Sequence, residues 1–165
     1  MDVRDRYDSL FQYYAALEGV DWQLLKAQAI AESGLNPDAE SPVGATGLSQ
    51  FMRRTWEEWG DGTPGIQDPP PGDMVLLDPR DPEDAIRAQA AYMGWLLKCF
   101  GGAITPALAS YNWGIGRVRR EIEFDAGGPA WLDGPSPPWL ERAPSETRGY
   151  VAKILAFRSD MKAIY

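Results

Sequence analysis

The 165-residue chain contains no histidine and a single cysteine, Cys99. The first absence excludes a Ser-His-Asp triad, a Cys-His pair and His-ligated zinc. The second excludes an intrachain disulfide and a thiolate metal centre. Long apolar runs are missing too: none approaches the roughly 18 residues that would cross a bilayer. The first eight residues, MDVRDRYD, show neither a basic n-region nor an apolar h-region, so no secretory signal is expected there. Basic side chains are few: 16 Lys and Arg stand against 24 Asp and Glu, a net charge of −8. Nucleic acid is therefore not an expected partner, because phosphate binding wants a basic face. Chemistry is left to carboxylates, Lys, Tyr, Ser, backbone dipoles or a metal held by oxygen ligands.

What is present is the material of a soluble globular domain, 44% hydrophobic and 24% charged. The length suits one domain, residues 1–165, with a substantial core. Seven Trp, 14 Pro and 17 Gly exceed ordinary usage. The aromatics suit either a sugar-stacking groove or, more commonly, core filling.

Helical periodicity dominates. Leu10, Phe11, Tyr14 and Leu17 form one stripe of a first helix, Tyr7 to Glu18, which Gly19 ends. Asp21 is placed to cap a second helix, Trp22 to Ser33, stopped by Gly34. Ser41 to Gly47 reads as a loop. A short helix is expected from near Leu48, carrying Gln50 and Met52, with Thr55 capping a further turn through Trp56 and Trp59. The stretch Gly60 to Pro82 is rich in Gly, Pro and Asp and reads as irregular. Asp81-Pro82 is a strong helix start. It opens a broadly apolar segment through Ile86, Met93, Leu96, Leu97 and Phe100, expected to be the most buried helix. Further helices are expected from Thr105-Pro106 to Asn112, from Arg117 to Glu123, and from a Ser145 cap through Val151, Ile154, Leu155 and Met161. Ala126 to Pro144, with Trp131 and Trp139, reads as a second Gly/Pro-rich loop. No convincing strand or repeat appears. The expectation is an all-α domain of about seven helices with two long loops, and long loops inside a compact domain are often functional.

Among the carboxylates Glu32 stands apart. It falls in the last turn of its helix, on the stripe of Leu25 and Ala29. The negative end of the helix dipole and the apolar neighbours both disfavour its charged form, which suits a group that donates a proton near neutral pH. Glu is common in helices, so position alone does not single it out. Asp38 and Glu40 are nearby but lie in a loop with no apolar stripe, and read as solvated acids.

The stretch from Ala29 to Met52, AIAESGLNPDAESPVGATGLSQFM, closely resembles the lytic transglycosylase SLT domain, whose pattern is Glu-Ser, then Asn-Pro, then Ser-Pro-x-Gly-Ala-x-Gly-Leu-x-Gln. A second block of that family, a Tyr-Asn pair followed by glycines and Arg-Val, is matched by Ala107 to Val118, ALASYNWGIGRV. A third, Glu-Thr-x-x-Tyr-Val, is matched by Glu146 to Val151. The blocks stand in family order, and the resemblance covers about residues 7 to 165.

The resemblance implies a lysozyme-like helical fold and cleavage of bacterial peptidoglycan glycan strands. It implies that Glu32 is the general acid/base for the β-1,4 bond between N-acetylmuramic acid and N-acetylglucosamine, with closure of a 1,6-anhydro ring. An ordinary glycosidase needs two carboxylates; this family is known for one, with the substrate's 2-acetamido group thought to assist. Ser41 resembles the family serine near the acetamido or C6 oxygen, otherwise a turn residue before Pro42. Gln50 resembles a groove residue bonding substrate amides, and Met52 a groove-floor methionine, with core filler as the alternative. Tyr111 resembles the tyrosine beside the acid, while Asn112 either touches substrate or caps its helix. Glu146 and Tyr150 resemble residues of the far rim of the cleft. No cofactor or metal is implied.

The chain departs from the pattern at Ser49, where the family has Met, at Arg53, where it has Pro, and at Trp113 and Ile115, where it has Ala and Pro. Two other readings stand beside the transglycosylase: a goose-type lysozyme that cuts the same bond with water, and a non-catalytic wall-binding or virion structural module. The expected partner is the glycan strand, acted on by a monomer at the cell wall in the periplasm. The block Tyr7-Asp8-Ser9-Leu10-Phe11 resembles phage-type members, which suggests delivery by a virion or release at lysis.

Overall fold

A computed structural model describes residues 3–62, 77–125 and 132–164. Among the described residues the chain is all-helical, with seven α-helices and no strand beyond two isolated bridges. Residues 1–94 and 95–165 form two compact units.

The first unit holds α1 (Asp8–Glu18), α2 (Trp22–Ser33), α3 (Arg53–Trp59) and most of α4 (Pro82–Cys99). In α1 the buried residues are Phe11, Tyr14 and Ala15. Leu17, expected on the same stripe, is 63% exposed. It lies about 120° round the helix from Phe11, outside the buried arc. α2 begins as expected: Asp21 Oδ1 accepts from the Gln23 N–H at 2.9 Å. It ends on Gly34, whose left-handed backbone (φ 64°) turns its N–H onto Ile30 O at 2.9 Å. Every residue from Leu24 to Ala29 is buried. That run includes Lys26, whose charge is met by Asp8 at 2.6 Å and Asp5 at 3.4 Å.

α4 starts at Asp81-Pro82, where Asp81 Oδ1 accepts from the Asp84 N–H at 3.0 Å. It buries Ala85, Ile86, Ala88, Gln89, Ala90, Ala91, Met93 and Leu96. Tyr14 of α1 donates its phenol proton to Glu83 of α4 at 2.7 Å. Burial, together with that carboxylate, raises the Tyr14 phenol above its ordinary value and keeps it a donor.

The helix expected near Leu48 is absent. Thr46 pairs with both Glu40 and Phe51 in isolated bridges, and Gly47 and Gln50 adopt left-handed backbone (φ 80° and 52°), which interrupts any helical ladder. The helix starts instead at Arg53, with Met52 in the cap position and Thr55 inside it. Of the first Gly/Pro-rich stretch, residues 63–76 lie outside the described residues.

The second unit holds the end of α4, then α5 (Ile104–Trp113), α6 (Ile115–Asp125), a 3-10 helix (Pro138–Arg142) and α7 (Ser145–Ile164). α6 is longer at both ends than its apolar pattern suggested. The 3-10 helix falls in the stretch expected to be irregular, and it seats Trp139, 1% exposed, with its indole N–H on Leu132 O at 3.0 Å. Trp131 and the rest of 126–131 lie outside the described residues. Ser145 is the first helical residue and not the cap; Pro144 supplies the carbonyl for the Arg148 N–H. Val151, Ile154 and Met161 are buried, whereas Leu155 is only half-buried.

α5 lacks a local cap, since Ala103 has no side chain to offer. Asp133 supplies one from 28 residues away, its Oδ1 accepting from the Thr105 N–H at 2.9 Å. Partial desolvation raises the Asp133 carboxyl, but hydrogen bonds from the backbone of Thr105, Gly134 and Ile104 and from the Thr105 side chain outweigh it and hold it below its ordinary value. A depressed carboxylate contributes stability above its unfolded pKa of about 4, lost as pH falls through the folded value. Asp133→Ala is expected to cost about 1 kcal/mol at pH 7, lowering Tm by roughly 2–4 °C. The gap between variant and parent in thermal melts should close below about pH 4. A constant gap from pH 7 to pH 3 would assign the effect to packing.

Candidate active site

Glu32 occupies the last turn of α2 and is half-buried. The next residue, Ser33, donates its hydroxyl to Leu48 O at 2.7 Å, with Ala29 O at 3.2 Å as a second acceptor. That bond fastens the end of the Glu32 helix to the loop that carries Ser41 and Gln50.

The loop is built by its own hydrogen bonds. Ser41 N–H donates to Ala45 O at 2.9 Å, and Gly44 N–H to Ser41 O at 3.0 Å. Gly47 N–H donates to Ala39 O at 2.8 Å, and Phe51 N–H to Thr46 O at 3.1 Å. Ser41 Oγ accepts from the Ala45 N–H at 3.0 Å. The bond orients the hydroxyl by its lone pair and leaves the proton available to donate. Ser41 is therefore a turn residue and a half-buried donor at once.

Gln50 sits in a tight turn and not on a helix. Its Nε2 donates to Ala39 O at 3.2 Å and to Gly47 O at 2.9 Å. Both amide protons are spent inside the loop, so the group left to meet a ligand's N–H is the carbonyl Oε1. Met52 is 44% exposed, which removes the core-filler reading. Asp38 and Glu40 are exposed, and Glu40 pairs with Arg80 at 2.9 Å, as solvated acids do.

In the second unit the structure joins the second and third sequence blocks. Thr147 of α7, 2% exposed, donates its hydroxyl to Asn112 Oδ1 of α5 at 2.8 Å. Asn112 is thus a tie between two helices and not the cap of its own, since the N–H of Gly114 closes α5 onto Ser110 O. Tyr111 is half-buried beside it. Glu146 is exposed in the first turn of α7, and Tyr150, half-buried, follows one turn later. The aromatic surplus divides: Trp56, Trp59 and Trp139 are buried, whereas Trp22, Trp95 and Trp113 are half-buried.

Three buried polar or charged residues were not singled out in the sequence: Lys26, Gln28 and Gln89. Gln28 carried the one readable signal, a polar residue on the Glu32 stripe one turn earlier. Among the described residues no group of three or more His, Cys, Asp or Glu side chains could hold a metal ion. No helix among them is long and apolar enough to cross a membrane.

The all-helical fold of the described residues is that of a lysozyme-like helical protein. The chain belongs to the transglycosylase SLT domain family, which matches residues 9–132. It is 34% identical over 154 residues to the soluble lytic murein transglycosylase of Escherichia coli K12, covering 92% of this chain and 22% of that protein. It is 33% identical over 141 residues to the membrane-bound lytic murein transglycosylase F of Pasteurella multocida, covering 79% and 25%. The crystal structure of the 70 kDa soluble lytic transglycosylase of Escherichia coli superposes with a TM-score of 0.76 at 31% identity, over 97% of this chain and 24% of that one. An inactive variant of lytic transglycosylase Slt from Pseudomonas aeruginosa gives 0.70 at 27% identity, over 96% and 25%. The chain spans about a quarter of the length of these relatives.

Proposed function

We propose that residues 1–165 act as one catalytic domain that cleaves peptidoglycan glycan strands by lytic transglycosylation. Glu32 protonates the glycosidic oxygen as the bond from C1 of N-acetylmuramic acid breaks. The resulting carboxylate then takes the proton of the C6 hydroxyl as that oxygen bonds to C1. The 1,6-anhydro ring forms, the acid is restored and no water is consumed. The observation that carries this reading is the placement of Glu32: half-buried in a helix-terminal turn that Ser33 ties to the Ser41 loop. Ser41 keeps a proton to donate toward the acetamido or C6 oxygen, and Gln50 keeps a carbonyl for a substrate N–H. Met52, Tyr111, Asn112, Glu146 and Tyr150 are assigned substrate contacts by resemblance to the family.

The names of the relatives support the substrate class. The relatives quoted above are bacterial, and support for a phage source is confined to the block Tyr7 to Phe11. On that source, a virion or a lysis lesion brings the monomeric domain to the wall. Mass analysis of muropeptides released from purified sacculi tests the reaction. Products are expected one water lighter than their reducing-end counterparts. Reducing-end products alone would replace the transglycosylase with a goose-type lysozyme, and no products at all would favour a wall-binding module.

A further inference from the structure

Buried polar side chains that bond one another add direction to a core that apolar packing leaves undirected. Gln28, Ser49 and Gln89 are each 0% exposed. Gln89 Nε2 donates to Gln28 Oε1 at 2.8 Å and to Leu25 O at 3.0 Å. Ser49 Oγ lies 3.0 Å from Gln89 Oε1 and 3.2 Å from Ala85 O, two acceptors for its one proton. Gln28 Nε2 points at Met93 Sδ at 3.5 Å.

Followed through the chain, these bonds close a ring. It runs from Gln28 on α2 to Gln89 on α4, on to Ser49 in the loop, back one peptide to Leu48, and through Ser33 to α2 again. Glu32 lies on the arc of α2 between the two attachment points, one turn after Gln28 and one residue before Ser33. The ring thus grips the acid's helix on both sides and anchors it to the loop of Ser41 and Gln50. Ser49 stands where the family pattern has Met, so this chain carries a hydrogen-bonding side chain at a position where the pattern has an apolar one.

We propose that the Gln28–Gln89–Ser49 chain is a positioning device that fixes the orientation of the Glu32 turn relative to the Ser41 loop. This rests on Glu32 being the acid. None of the three needs to touch substrate. Their effect is on the approach of the acid to the glycosidic oxygen, where a misplacement of about 1 Å costs on the order of a hundredfold in rate.

The test separates positioning from stability. The triple variant Gln28→Leu, Ser49→Ala, Gln89→Leu removes every member of the chain together. It leaves no orphaned partner within it and keeps the core apolar, so it should stay folded. On soluble glycan oligosaccharides from peptidoglycan, kcat is expected to fall at least tenfold, with KM within twofold of the parent. A folded triple variant with parental kcat overturns the proposal. Ser49→Ala alone, which cuts the tie from the loop to Gln89 and Ala85 of α4, serves if the triple variant does not fold. A kcat loss of about fivefold supports the proposal, and an unchanged kcat overturns it. Glu32→Gln is measured in parallel. If it retains activity, the assignment of the acid fails and the positioning role falls with it; if it is inactive, the ring variants report on positioning alone.

Discussion

Glu32→Gln should abolish the release of muropeptides from sacculi, with a rate loss of roughly a thousandfold, within the range for removing a general acid/base. The substitution keeps shape and removes only the exchangeable proton and the negative charge that follows its transfer. With no histidine and one cysteine in the chain, no other group of suitable basicity near neutral pH stands ready to take the role. The nearby carboxylates are poor substitutes: Asp38 is exposed and Glu40 is exposed and paired with Arg80. Asp38→Asn and Glu40→Gln are therefore expected to retain parental lysis. Glu32 is half-buried at a helix end and not in the core, so thermal melts of the variant should stay within about 0.5 kcal/mol of the parent. A variant that keeps more than a tenth of the parental rate while folded removes Glu32 from the mechanism.

The sequence made the helices legible where local chemistry decides them. Asp21, Gly34 and Asp81-Pro82 mark their boundaries by side-chain caps, a left-handed stop and a fixed φ, and these act within a turn of the residue concerned. It misled where a distant partner decides. The α5 cap comes from Asp133, 28 residues on, and no reading of Ala103-Ile104-Thr105 could supply it. The end of the loop, from near Leu48 through Gln50 and Met52, was expected to be a short helix. The left-handed backbone at Gln50 is set instead by its amide bonding to Ala39 and Gly47. The same bonds spend both amide protons of Gln50 inside the loop and leave its carbonyl as the group it can offer a ligand. Asn112 was read as cap or ligand contact because its partner, Thr147, lies 35 residues away. Leu17 failed for a simpler reason: hydrophobicity is not burial, and a 120° offset from Phe11 suffices to leave it in solvent.

Gly47→Ala should be the most damaging single methyl in the first unit. An ideal Cβ at Gly47 would lie 1.7 Å from Pro79 O and 2.7 Å from Pro79 C, and the obstacle is backbone, which no rotamer change can clear. The position also has φ 80°, where an L side chain is strained. The loop must therefore retreat from the segment before α4, and with it the Gly47 N–H bond to Ala39 and the Gln50 bond to Gly47 O. A loss of about 4 kcal/mol is expected, roughly 1 of it from the backbone conformation and the rest from displaced packing and hydrogen bonds. For a chain of this length that is about 10 °C in Tm. Gly44→Ala is the matched control. Its φ is 89°, equally unfavourable, but its Cβ would meet nothing within 4 Å, so it should cost only about 1 kcal/mol. Because Ser41 and Gln50 flank the displaced turn, Gly47→Ala should also lower lysis at temperatures where it stays folded, whereas Gly44→Ala should leave it near parental. Equal losses of Tm in the two variants would mean that strain alone matters and that the close approach of Gly47 to Pro79 does not hold the loop in place.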